Sequence, residues 1–253
     1  MNLSVFFTQK SICLDFVGFI LYNKLIIKKR RKQMKKTNVS FILSAIMLFM
    51  FIALAVVVSI VDVQAIGPEN SEIGLASVNG FFKDLFGVNM LWYDVTEIFG
   101  YIALATAGIF ACLGLYQLVK GKSLKKVDPD IYALAGLYVL VMAAYVFFEI
   151  FVINCRPILM EGELEASFPS SHSMIVLCFI AGAVHQIHRR IGNKSLRIAL
   201  EVAGYAVIAL TLVGRMICGV HWFTDIIGGI LLGLAIVFLY IAVVDLLDKK
   251  NNN

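Results

Sequence analysis

Three short stretches in the second half of the chain hold the residue types that phosphoryl transfer uses. They are Arg156-Pro157, Pro169-Ser170-Ser171-His172, and Arg215 followed by His221 and Asp225. His221 and Asp225 stand four apart, so on a helix they share a face. An aspartate that accepts the Nδ1 proton of an imidazole fixes its tautomer and leaves Nε2 free to attack. It also stabilises the positive charge that grows as the ring takes up a phosphoryl group. Arg215 offers a planar fork to phosphate oxygens, and Arg156 offers a second. In the middle stretch, Pro169 breaks the preceding structure and a serine caps the helix that follows. The first N–H groups of that helix, with a serine hydroxyl, make a phosphate cradle. His172 then stands where it can protonate a leaving alkoxide. Each piece also has a plainer reading: an ion-paired helix turn, a capped helix start, or arginines snorkelling to lipid headgroups.

The elements that must position these residues are apolar. The chain has 253 residues, of which 60% are hydrophobic and 15% charged. Soluble domains are about half apolar and about a quarter charged, so the solvent here is lipid. A helix needs about 20 mostly apolar residues to cross a bilayer. Six runs qualify or come close: Phe41 to Val61, Val95 to Leu118, Ile131 to Ile153, Ser173 to Ile187, Ile198 to Val213 and Ile226 to Val244. The fourth and fifth are short. No charged residue interrupts the middle of any run. The expected fold is all-α: a polytopic membrane protein of six transmembrane helices. Residues 1–39 read as a basic cytoplasmic tail, 40–248 as one membrane domain and 249–253 as a polar tail. Met34, with lysines and then an apolar run behind it, reads as an ordinary membrane-protein start. Residues 1–33 are therefore either an amphipathic tail or upstream of the native start.

Basic residues set the orientation. With the amino end in the cytoplasm, that side holds nine Lys/Arg in the tail, four at Lys120 to Lys126, four at Arg189 to Arg197, and Lys249 and Lys250. The other side holds only Lys83, Arg156 and Arg215. Both ends of the chain are then cytoplasmic, in a plasma (cytoplasmic) membrane, and all three chemical stretches meet on the extracytoplasmic face. The net charge of +5 is thereby explained as topology, and nucleic acid is not an expected partner. Two of the three outer cations flank histidines, where an anion would have to bind.

The five cysteines form no C-x-x-C pair and no zinc spacing, and read as structural. His185 and His188, beside Arg189 and Arg190, are expected on a solvated face. In the outer loop, Phe81, Phe82, Leu85 and Phe86 fall at helical spacing. They suggest a short helix lying flat in the interface or a packed cap over the loop.

The three stretches together resemble the type 2 phosphatidic acid phosphatase family, whose pattern is K-x6-R-P, then P-S-G-H, then S-R-x5-H-x3-D. Arg156 and Pro157 match the first motif, Pro169, Ser170 and His172 the second, and Arg215, His221 and Asp225 the third. The resemblance covers roughly Glu149 to Asp225. It implies the helical core shared with vanadium haloperoxidases and a phosphohistidine at His221. It further implies leaving-group protonation by His172, phosphate binding by Arg156, Ser170 and Arg215, and no metal or other cofactor. Ser171 stands in place of the family glycine and keeps a backbone N–H, adding a hydroxyl to the cradle. Gly214 stands in place of the serine and loses a donor. Glu149 stands in place of the lysine and puts an anion where a cation is usual. Glu149 is expected to have dropped the lysine's role, to pair with an arginine, or to recruit a cation or amine headgroup. With Glu161, Glu163 and Glu165 it is expected to lower affinity for highly charged diphosphates.

The leading expectation is a membrane phosphatase that hydrolyses a lipid phosphomonoester or polyprenyl diphosphate. A lipid phosphotransferase using the same histidine is the second reading. A non-catalytic lipid-binding or transport protein is the third, supported by Glu149 and opposed by span centres free of ionisable residues.

Overall fold

The structure, a computed structural model, describes residues 36–251. The described part is helical: α1 (Lys36–Ile60), α2 (Ala76–Phe86), α3 (Met90–Gly121), α4 (Pro129–Ile150), α5 (Ser171–Arg190), α6 (Lys194–Ile217) and α7 (Phe223–Asn251). Nearly all of the basic tail, with Cys13 and the alternative start at Met34, lies outside the described residues. Five helices are long and apolar enough to cross a membrane: α1, α3, α4, α6 and α7. They carry large hydrophobic side chains on their outer faces, such as Phe49, Ile109, Val139 and Val202. Such exposure is unfavourable in water and neutral in lipid.

The expected fourth span forms a helix but is not among those five. α5 carries Ser, Gly, His and Gln among its apolar residues, and it is the most enclosed helix of the bundle. It packs against α3, α4, α6 and α7. A helix surrounded by protein needs no lipid-facing apolar surface, so its sequence is less hydrophobic than that of its neighbours. Its apolar face, with Met174, Leu177, Phe179 and Ile180, forms the centre of the core against Leu134, Leu137, Ile236 and Tyr240.

Close approach fixes the start of α5 against the start of α7. A Cβ on Gly229 would stand 2.7 Å from the Ser170 carbonyl oxygen and 2.9 Å from Ser173 Cβ. Only glycine permits that contact, which lets the Ser170 N–H donate to the Asp225 carbonyl at 2.9 Å. Between α4 and α5 the chain folds back on itself. The Arg156 N–H donates to the Glu165 carbonyl, and the Ser167 N–H donates to that of Asn154. The Trp222 indole N–H donates to the Cys155 carbonyl at 2.6 Å and ties this hairpin to the loop before α7.

α2 is both a helix and a cap. Phe82 stacks on Phe223 with centroids 4.0 Å apart, and the Lys83 ammonium reaches the Pro157 carbonyl at 3.2 Å and lies over the Trp222 ring. Phe81 and Leu85, on its other side, are exposed. The opposite end of the bundle is held by charge. Arg189 pairs with Asp130 and Asp248, and Arg190 pairs with Asp128 and Asp130. His188 is exposed and meets Glu201. His185 departs from the solvated face expected of it: it is half-buried, with Nδ1 3.2 Å from the Tyr240 hydroxyl and its ring edge-on to the tyrosine. One turn of α5 separates it from the charged end, which is enough to bring it under α7.

Candidate active site

The residues singled out in the sequence meet at one end of the bundle. His221 sits in the loop before α7 and Asp225 in that helix's first turn. Both side chains are buried, with His221 Nδ1 3.6 Å from Asp225 Oδ2. That distance is an electrostatic contact rather than a hydrogen bond. Asp225 Oδ2 instead accepts the Trp222 N–H at 2.8 Å. This is half of a capping box: the third residue of a helix satisfies the N–H of the capping residue. The same carboxylate thus ends the loop and faces the imidazole.

Asn79 of α2 completes the cap. Its Oδ1 accepts the Thr224 N–H at 3.1 Å. Its Nδ2 donates to the Thr224 hydroxyl at 3.0 Å and to the Gly74 carbonyl at 2.8 Å. Asn79 is fully buried. Helix starts expose N–H groups that need acceptors, and here one acceptor comes from a segment 145 residues away.

Ser170 caps α5 as expected, its Oγ accepting the Ser173 N–H and the Ser173 hydroxyl. Ser171 is the first residue of the helix and His172 the second. Arg156 Nε lies 2.9 Å from Glu165 Oε2. Arg215 lies in the last turn of α6, fully buried, with its guanidinium 5.0 Å from the Tyr93 ring centroid. Arg156, Arg215 and His172 all bear on His221. Burial, followed by these positive neighbours, holds the His221 imidazolium well below the ordinary histidine range. The ring is therefore neutral at pH 7, the form in which Nε2 has a lone pair.

One carboxylate was not anticipated. Glu97, on α3, places Oε1 3.0 Å from His172 Nε2 and 2.6 Å from Arg215 Nη2. A buried guanidinium left without its carboxylate costs about 3–5 kcal/mol, so Glu97 is needed wherever Arg215 is enclosed. The only trace in the sequence is an acid near the start of an otherwise apolar run, a position where ionisable groups signal a site.

Several nitrogens here are buried without a partner: Arg215 Nε and Nη1, Arg156 Nη1, His172 Nδ1 and His221 Nε2. Unpaired buried donors are costly. A tetrahedral anion, with oxygens pointing in several directions, can take hydrogen bonds from both arginines while facing Nε2 of His221. Among the described residues, no three His, Cys, Asp or Glu side chains are grouped to hold a metal ion.

Of the three departures from the family pattern, Gly214 has a local cause. A Cβ on Gly214 would fall 2.6 Å from Thr96 Cγ2 and 2.9 Å from the Trp92 ring, so α3 occupies the space a serine would need. Ser171 is half-buried at the rim. Glu149 is exposed on the last turn of α4 and forms no ion pair among the described residues. The arginine nearest the hairpin acids, Arg156, pairs with Glu165 instead.

Comparisons with known proteins bear on the family and the fold. A sequence model of the PAP2 superfamily matches residues 103–248, a segment that includes every expected site residue and begins after α2 and Glu97. Lipid phosphate phosphatase delta from Arabidopsis thaliana is 27% identical over 92 residues, which is 35% of this chain and 22% of that protein. A crystal structure of a transmembrane PAP2 type phosphatidylglycerolphosphate phosphatase from Bacillus subtilis superposes with a TM-score of 0.57 and 18% identity. That superposition covers 82% of this chain and 96% of the other, and the likeness is one of fold.

Proposed function

The chain belongs to the PAP2 superfamily, and from that premise we propose that it is a membrane phosphatase acting on a lipid phosphate at the extracytoplasmic face. Phosphate sits between Arg156 and Arg215, with the Ser170-Ser171 helix start contributing donors. His221 Nε2 attacks phosphorus, and the bond from phosphorus to the leaving oxygen breaks. His172 gives that oxygen a proton, so the lipid leaves as an alcohol. Asp225 faces the positive charge that builds on His221. Water then attacks the phosphohistidine, His172 takes its proton, and the P–N bond breaks to release phosphate and restore His221. Positioned charge and proton transfer carry the reaction, and the scheme needs no metal.

The single observation carrying this reading is the set of unpartnered buried nitrogens on Arg156, Arg215, His172 and His221. Phosphate is the anion whose geometry and chemistry fit a neutral imidazole between two guanidinium groups. The relatives named above support a lipid as the group the phosphate is attached to. The acids nearby, Glu97, Glu165 and the exposed Glu149, favour a monoester over a diphosphate. α5 is read as a sixth membrane crossing sheathed by its neighbours, with residues 40–248 forming one membrane domain.

The test is phosphate release by the detergent-purified protein from a panel of lipid monoesters and diphosphates. His221→Ala is expected to lower the rate by about three to six powers of ten, as removal of a nucleophile does. An unchanged rate in that variant would exclude the mechanism.

A further inference from the structure

Glu97 contacts two groups of the site at once, and the contacts differ in kind. At Arg215 it takes only Nη2, leaving Nε and Nη1 unpartnered. The guanidinium therefore keeps two donors for an anion while its charge is matched. At His172 the carboxylate takes Nε2 at 3.0 Å, and the ring's other nitrogen, Nδ1, is buried without a partner. The seat is built closely. A Cβ on Gly100, the residue one turn beyond Glu97 on α3, would stand 3.3 Å from His172 Cδ2 and Nε2, so the ring lies directly against the α3 backbone.

We propose that Glu97 is a positioning residue that holds the Nε2–H of His172, making Nδ1 the atom that passes the proton to and from the substrate. The inference rests on the reading of His172 as the proton donor. In the first half of the reaction, Nδ1–H goes to the leaving oxygen as its bond to phosphorus breaks. The ring becomes neutral and keeps Nε2–H on the Glu97 carboxylate. In the second half, Nδ1 takes a proton from the attacking water while the new P–O bond forms and the P–N bond breaks. The ring returns to its starting form, and Glu97 neither gains nor loses a proton. An acceptor on one imidazole nitrogen dictates the state of the other. The site then contains two carboxylate–histidine pairs with opposite tasks: Asp225 faces the nucleophile, Glu97 the proton carrier.

Leaving groups separate this role from a structural one. An alkoxide is a poor leaving group unless it takes up a proton, whereas 4-nitrophenolate departs as a stable anion. Glu97→Gln is expected to lower kcat/KM, which reads the leaving-group step and not the shared hydrolysis of the phosphohistidine, at least tenfold more for a lipid monoester than for 4-nitrophenyl phosphate. His172→Ala should give the same split in larger measure. The lost carboxylate at Arg215 lowers both values together, and any measurable aryl activity in the glutamine variant reports an intact fold. Equal loss on both substrates would overturn the proposal, as would no loss. Should Glu97→Gln fail to fold, Glu97→Asp keeps the charge with a shorter reach and must show the same split. The parent enzyme separates the two readings: if its own phosphate release survives His221→Ala, the phosphohistidine scheme fails. If that scheme holds and the split is absent, only the role given to Glu97 fails.

Discussion

Single residues explain where this chain follows its family's pattern and where it leaves it. Gly214 replaces a serine because Trp92 and Thr96 of α3 fill the space beside it. The departure is therefore a packing exchange, and restoring the family residue should harm the protein. Gly214→Ser is expected to destabilise it by about 1–3 kcal/mol, the usual cost of overpacking, read as a lower melting temperature in detergent. Ser171→Gly, at the half-buried rim, should melt within a few degrees of the parent. The motif residues were legible in the sequence because their spacing is local: Arg215, His221 and Asp225 lie within eleven consecutive positions. Glu97 was not, because its partner Arg215 is 118 residues away. No periodicity or spacing rule connects residues so far apart, and only the packing of α3 on α6 does.

At the scale of elements, the apolar runs foretold the helices well, since hydrophobic length is what a bilayer selects. What they could not foretell was that α5 would be wrapped by the others, or that α2 would be a structural part of the site. A run of phenylalanines at helical spacing says which face is apolar, not what that face will meet. Here Phe82 meets Phe223, and Asn79 supplies an acceptor to the first turn of α7. Removing that acceptor strands a buried N–H, which costs about 1–3 kcal/mol. Asn79→Ala is therefore expected to lower both the melting temperature and the rate of phosphate release. Asn79→Asp keeps the acceptor for the Thr224 N–H and loses the two bonds made by Nδ2, so its melting temperature should fall between those of the parent and the alanine variant.

For the whole molecule, the division of charge between the two ends is the basis of the proposed orientation. The end with Arg189, Arg190 and their aspartates also carries Lys120 to Lys126, and the proposed orientation, which follows the positive-inside tendency, assigns it to the cytoplasm. The hairpin around Glu161 then lies outside. In cells, Glu161→Cys should react with a membrane-impermeant maleimide without permeabilisation, and Lys125→Cys only after it, above the background of the five native cysteines. The reverse pattern would put the arginine–histidine cluster in the cytosol.

The cluster's components are distributed along the chain from Glu97 to Asp225, and its nucleophile candidate is among the last to be made. A ribosome delivers Glu97 early, Arg156 and His172 midway, and His221 only as the final hydrophobic segment begins. A nascent chain stalled before that segment has its cations and its acid but no second histidine. On the proposed mechanism chemistry waits until His221 has been made, and a product interrupted before it should release no phosphate from the lipids around it.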